Sequence, residues 1–321
     1  MNKNVGIFCG GFSSEFEISI KSAKNIAKNF PAGYEVYLII VTRSHWFAMK
    51  DEESLTFSRE DLCIQKENLT IKLDLALVYI HGEPGENGKI QALLDLHGIP
   101  YLNSGVLASS LSFDKWYCNQ FLKSFGFHVA QSIRLVKDQV YQTADILKKL
   151  QLPVFVKPCD SGSSYGISKV NKHEELEPAI DIAFSEGSSL VIESFLKGVE
   201  VTCGVYRNKS GLVALPLTEI VTENDFFDYD AKYNGKSEEI TPARISPENT
   251  ENIQKCAKEI YYLLQLKSIA RIDFMLVDNI PYVIEVNTTP GFSDASIVPK
   301  MLLSAKISVR NFWNEILVVE S

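Results

Sequence analysis

The chain has 321 residues, 45% hydrophobic and 22% charged, with a formal net charge of −8. That length accommodates two or three domains with ample core, and the acidic balance excludes a nucleic-acid binder built on a broad basic face. The six cysteines show no C-x-x-C pair and, with five scattered histidines, no zinc-ligand spacing; thiols spread in this way suit a reducing compartment.

The apolar run near the start, Val5 to Cys9, is too short for the core of a signal peptide. No run reaches the ~18 apolar residues that span a bilayer. A soluble, cytoplasmic protein that engages neither nucleic acid nor membrane is the expectation.

In chain order, Val5-Gly6-Ile7-Phe8 reads as a strand broken by Gly10-Gly11. Ser13 or Ser14 is placed to cap a helix running from Glu15 to about Asn29, whose early acids suit the helix dipole. Tyr34 to Thr42 and Leu73 to Ile80 are apolar strand-like runs, and Gly88 to His97 is an amphipathic helix stopping at Gly98. This alternation predicts βαβ units and a parallel sheet, with ligands beyond the carboxyl ends of its strands. From about Tyr101 the spacing predicts helices over 105–112, 114–125, 143–150 and 173–185, and strands over 129–135, 154–158, 167–171 and 189–194. Beyond about 195 the chain is strand-rich, with one long helix over 248–265 and two closing helices.

Arg271 to Met275 and Ile284 to Gly291 read as strands joined by a hairpin turn at Asp278-Asn279. Residues two apart share a strand face, so pairing brings together Asp273, Glu285 and Asn287, three oxygen donors suited to Mg²⁺ against nucleotide phosphates. Arg271 stands beside them, able to steady developing negative charge. The same alternation also suits two edge strands with solvated charges.

Cys159 to Gly166 follows the strand Val154 to Pro158; its small residues let backbone N–H groups converge on an anion, with Lys157 in reach. Walker A order is absent, and a hairpin with a Gly/Ser turn fits equally. Glu193 and Glu200 flank Phe195-Leu196 and suit a nucleotide's amine and ribose, or simply the surface. His81, in a glycine-rich strand-to-helix turn, is placed to contact a substrate or to bond its own loop. Phe226 to Pro242 is long enough for a lid, with Lys232 and Tyr233 as closing groups, or for a surface excursion. Ser293 or Ser296 is placed to cap the helix after Gly291, and that helix N-terminus suits a carboxylate.

The order of these runs is more specific than any one of them. GGFSSEFEIS, HGEPGENG, LNSGVLASSLSFDK, FVKPCDSGSSYG, FDYDAKY, RIDFM and EVNTTPGFSDASIVP together resemble the D-alanine–D-alanine ligases of the ATP-grasp superfamily, along essentially the whole chain. The resemblance implies an α/β fold of three domains: an N-terminal parallel-sheet domain over 1–102, a central ATP-grasp subdomain over 103–194 and a C-terminal catalytic subdomain over 195–321. It implies ATP as co-substrate, two Mg²⁺ (or Mn²⁺) ions, D-alanine as substrate and a homodimer.

By similarity, Glu15 holds the first D-alanine's ammonium, with His81 nearby. Lys115 and Lys157 contact the α- and β-phosphates, and Glu193 and Glu200 receive adenine and ribose. Ser163, Tyr233 and Glu15 form a hydrogen-bonded set that ties the loop over the site, and Lys232 reaches the γ-phosphoryl group. Arg271 and the Gly291 N–H face the tetrahedral oxyanion, Ser296 binds the second substrate's carboxylate, and Asp273, Glu285 and Asn287 hold the metal.

The chain departs from the family pattern at Asn87, Cys159-Asp160, Ser194 and Ala270. Two rivals stand beside this reading: a D-alanine–D-serine or D-alanine–D-lactate ligase, and a nucleotide-binding protein that has lost catalysis. Relatives making the D-lactate ester lack the loop tyrosine, so Tyr233 favours an amine nucleophile.

Overall fold

A computed structural model of the chain describes residues 2–160, 165–222 and 237–320. Its first sheet begins with β1 (Lys3–Gly10), whose Val5 to Gly10 stretch is wholly buried. Such an unbroken apolar run suits a strand covered on both faces. After helix α1 (Phe16–Asn29), β2 (Tyr34–Val41) pairs parallel with one edge of β1, and β7 (Leu75–Val78) with the other. Helix α2 (Lys89–Leu96) stops before Gly98, which takes the expected left-handed φ of 64°; β8 (Tyr101–Leu102) then adds to β7.

The expected parallel sheet is therefore present, but four antiparallel strands extend it beyond the sequence reading. They are β3 (Trp46–Lys50), β4 (Glu53–Ser58), β5 (Cys63–Lys66) and β6 (Leu69–Lys72), giving the order β6-β5-β4-β3-β2-β1-β7-β8. Their turns carry little sequence signal. Asp51 and Glu52 adopt φ of 45° and 68° between β3 and β4, where glycine or asparagine is the usual mark.

Helices α3 (Val106–Phe113) and α4 (Lys115–Ser124) follow, the second capped by Asp114, which accepts from the Tyr117 N–H at 2.9 Å. The strand expected over 129–135 is divided: β9 (His128–Val129) joins the third sheet, while β10 (Ser132–Val136) joins the second. After α5 (Thr143–Lys149) come β11 (Val154–Pro158), β12 (Ser168–Val170), α6 (Leu176–Glu186) and β13 (Ser189–Ser194), ordered β10-β13-β11-β12. Leu135, Val154, Val156 and Ile192 bury this sheet's inner face against Leu176 and Ile180 of α6.

The third sheet is built from β14 (Val199–Asn208), β15 (Gly211–Ala214), β16 (Thr218–Thr222), β17 (Ser237–Ile240), β18 (Ile269–Val277) and β19 (Ile280–Asn287), with the main order β17-β16-β14-β18-β19-β9. The long helix α7 (Pro247–Leu263) is capped by Ser246 with proline in its first turn. Helices α8 (Ile297–Ser304) and α9 (Val309–Glu320) close the chain. Phe312 and Trp313 of α9 share one core with Phe292, Tyr79 and Phe30, so the first and third sheets are locked together by aromatic packing. No helix among the described residues is long and apolar enough to cross a membrane.

Candidate active site

The site is set by one irregularity in the β18–β19 hairpin. Asp278 and Asn279 make the turn with φ of 49° and 66°, as expected, and Val277 pairs with Ile280. A regular ladder from that turn would set Asp273 opposite Ile284, leaving Glu285 and Asn287 on the other face. Instead the register shifts between Asp273 and Phe274: Phe274 pairs with Val283, but Asp273 pairs with Glu285 and Arg271 with Asn287. Ile284 is the extra residue of a β-bulge, and its carbonyl accepts from Asn119 Nδ2 of α4 at 3.3 Å. The bulge moves Glu285 and Asn287 onto the face of Arg271 and Asp273.

There Arg271 grips Asp273 as a two-pronged fork, Nε to Oδ1 at 2.8 Å and Nη2 to Oδ2 at 2.7 Å. Burial works against the Arg271 charge, but Asp273 outweighs it and holds the guanidinium more firmly protonated than usual. Asp273 also accepts from Thr202 Oγ1 of β14 and, at 3.1 Å, from Asn287 Nδ2. Arg271, expected beside the acids, is closed onto one of them. Among the described residues no cluster of three or more His, Cys, Asp or Glu side chains forms a metal site. The donor set at 273, 285 and 287 is two carboxylates and an amide, all hard oxygen donors fitting a cation such as Mg²⁺.

Around this sheet lies a cavity of about 780 Å³. Its first wall carries Glu15, His81 and Glu86; its second, Phe155, Lys157, Glu193 and Phe195; its third, Glu200, Arg271, Asp273, Glu285, Asn287, Gly291 and Ser296, with Lys115 at the start of α4. Every described residue that the resemblance singled out borders it. Ser163, Lys232 and Tyr233, with residues 226–236 of the expected lid over 226–242, lie outside the described residues; the end of that stretch, Ser237–Ile240, is not loop but strand β17, paired with β16.

Lys157 and Glu193 form a buried ion pair at 2.7 Å. Burial opposes the Lys157 charge, yet Glu193 more than compensates and raises its pKa. Lys115 Nζ approaches Glu285 at 4.0 Å. The Phe155 and Phe195 rings, 6.0 Å apart, supply an apolar wall.

His81 is buried rather than open to the cavity along its whole ring. Its Nε2 lies 3.3 Å from Ser22 Oγ, and it bonds the Thr289 carbonyl. Burial lowers its pKa, with Glu15 opposing, so the ring is held neutral. Ser13 does not cap α1 as expected. Its hydroxyl accepts from the Glu15 N–H at 3.2 Å and donates to the His81 carbonyl at 2.8 Å, fixing Glu15 against the His81 turn. Ser296 occupies the N-cap position of α8 but makes no cap bond; its hydroxyl accepts from the Ser293 N–H at 3.0 Å. Of the departures from the family pattern, Ser194 borders the cavity, whereas the buried Ala270 and Cys159 do not.

Glu86 lies within the HGEPGENG run, and the resemblance attaches no role to it. It borders the cavity and accepts from the Gly82 N–H at 2.7 Å. Burial and the charge of Glu15 push its carboxyl up to about 8, against the pull of that N–H. An acid inside a turn with three glycines was the one available signal; its burial was not legible. Thr202 and Asn119, which brace Asp273 and the bulge, carried no motif at all.

Comparison with known proteins settles the family. The family described as D-ala D-ala ligase N-terminus matches residues 4–104, and D-ala D-ala ligase C-terminus matches residues 121–318. This chain belongs to the D-alanine–D-alanine ligase family. A relative named D-alanine–D-alanine ligase, from Parabacteroides distasonis, is 42% identical over 320 residues, covering 99% of this chain and 97% of that one. Among solved structures, the VanG D-Ala:D-Ser ligase from Enterococcus faecalis superposes with a TM-score of 0.90 at 29% identity, covering 100% of both chains. The D-alanine–D-alanine ligase from Bacillus anthracis complexed with ATP gives a TM-score of 0.79 at 29% identity, covering 99% of this chain and 97% of that one. The fold is accordingly the mixed α/β ATP-grasp fold of these ligases.

Proposed function

We propose that this protein joins two D-alanines into D-alanyl-D-alanine with conversion of ATP to ADP and phosphate, as a step in making a peptidoglycan precursor. One observation carries the reading: side chains from three separate sheets, drawn from sequence runs in the family's order, border one cavity.

A carboxylate is a poor acyl donor. In this reading a carboxylate oxygen of the first D-alanine attacks the γ-phosphorus, the bond to ADP breaks, and an acyl phosphate forms. The second D-alanine's amine, having shed a proton, then attacks the carbonyl carbon; phosphate leaves and the amide remains. Charge collects first on phosphoryl oxygens and then on a tetrahedral oxyanion, so fixed cations and N–H donors do most of the catalysis.

Glu15 pairs with the first ammonium, and neutral His81 braces the wall behind it. Phe155 and Phe195 cover the adenine, with Glu193 and Glu200 at its amine and the ribose. Lys115 and Lys157 take the α- and β-phosphates, and Lys232, with the Ser163–Tyr233–Glu15 set, closes on the γ-phosphoryl group. Arg271 and the Gly291 N–H meet the oxyanion, and Ser296 holds the second carboxylate. Asp273, Glu285 and Asn287 would hold two Mg²⁺ or Mn²⁺ ions, whose chemistry is to draw negative charge off the phosphates. The free thiols suit a cytoplasmic enzyme, and the resemblance points to a homodimer, which light scattering measures.

The VanG likeness supports a second reading, D-serine as second substrate; the roughly 40% identical relatives named for D-alanine favour the first. Phosphate release with ATP, Mg²⁺ and D-alanine, alone or with D-serine or D-lactate, separates them. D-Alanine alone should suffice. Release indifferent to D-alanine rejects the ligase reading, and preferential capture of D-serine moves it to the second.

A further inference from the structure

The turn that carries the Gly291 N–H is held from the first sheet by buried polar groups to which no motif points. Tyr79 follows β7 and is fully buried. Its own backbone is tied on both sides: the N–H donates to Phe8 O at 2.8 Å, and the carbonyl accepts from Ser19 Oγ at 2.7 Å. Its ring is wedged against Phe292 and Trp313, with centroids at 5.9 and 6.4 Å. From this fixed base the hydroxyl donates to the Pro290 carbonyl at 2.9 Å.

That carbonyl belongs to the same peptide plane as the Gly291 N–H. The plane is rigid, and in a trans peptide C=O and N–H point in opposite directions. Fixing the oxygen on Tyr79 therefore aims the N–H the other way. The next two peptides are pinned too: Ser22 Oγ accepts from the Phe292 N–H at 3.1 Å, and Asn25 Nδ2 donates to the Phe292 carbonyl at 2.9 Å. Ser22 and Asn25 lie on α1, directly after Glu15, so the ammonium-binding acid and the oxyanion donor share one frame.

We propose that Tyr79 is a positioning residue for the ligation step, orienting the Pro290–Gly291 peptide so that its N–H meets the tetrahedral oxyanion. Ser22 and Asn25 hold the far side of the same turn. This rests on the function proposed above and adds to it a residue that never touches substrate. A donor that acts only on the oxyanion contributes to turnover and to binding of tetrahedral mimics, and little to ground-state binding. A small misalignment of such a donor costs much of its effect.

The test is Tyr79→Phe, which removes one oxygen from a ring that stays packed. Thermal unfolding and binding of a fluorescent ATP analogue first establish that the variant is folded. The expected result is a kcat about tenfold or more below wild type, an unchanged KM for ATP, and an affinity for a phosphinate dipeptide mimic reduced by the same factor as kcat/KM. A folded variant whose kcat and phosphinate affinity both lie within about twofold of wild type overturns the proposal. If Tyr79→Phe does not fold, Ser22→Ala, read by the same two quantities, decides it. Wild-type protein that shows no D-alanine-dependent turnover overturns the functional reading itself, and the inference with it.

Discussion

Asp273 is the residue on which the reacting face turns. In the structure both its oxygens are taken by the Arg271 fork, with Thr202 and Asn287 as further donors. Stripping one partner from a buried ion pair costs about 3–5 kcal/mol when nothing replaces it. In the proposed function Asp273 would hold a cation that supplies the positive charge the guanidinium now gives it, which would free Arg271 for the reacting centre without leaving a bare carboxylate. Glu86 shows a different balance. Its folded-state pKa of about 8 lies above the ordinary value of 4.5, so the folded chain keeps a proton that the unfolded chain has released. Its contribution to stability is full below pH 4.5 and is lost as pH rises through about 8. Glu86→Gln, which keeps an acceptor for the Gly82 N–H, should flatten the urea midpoint's decline across that window. An unchanged slope would assign the pH dependence to other groups.

At the scale of elements, the β18–β19 bulge decides which chemistry the sheet can present. The expected meeting of Asp273 with Glu285 and Asn287 is present, but a plain two-residue hairpin has the opposite phase. Nothing in Val283-Ile284-Glu285 marks an extra residue; the cue is a tertiary bond, Asn119 to the Ile284 carbonyl. Deleting Ile284 should restore the regular ladder with Glu285 still opposite Asp273 and Asn287 still opposite Arg271. We expect Mn²⁺ binding by electron paramagnetic resonance to persist, while circular dichroism stays close to wild type. A folded deletion variant that no longer binds Mn²⁺ would show that the phase of the strand does not by itself set the site. The meander β3–β6 was hidden for a related reason. Its Asp51-Glu52 turn adopts left-handed backbone without the glycine or asparagine that usually announces it.

For the whole molecule, the order of motifs along the chain was legible, and with it the family, because glycine turns and charged strand ends leave local marks. What joins the parts was not legible. The aromatic core that ties Tyr79 and Phe292 to Trp313 and the division of residues 128–136 between two sheets depend on contacts far apart in sequence. The resulting molecule brings Glu15 from beside the first sheet, Lys115 and Lys157 from a helix and the second sheet, and Arg271 and Asp273 from the third to one cavity. In the proposed function this cavity activates a carboxylate by phosphorylating it. With D-alanine labelled by ¹⁸O in its carboxylate, the phosphate released during dipeptide formation should carry one labelled oxygen per turnover. Unlabelled phosphate would contradict the acyl-phosphate route and the arrangement of groups argued for it.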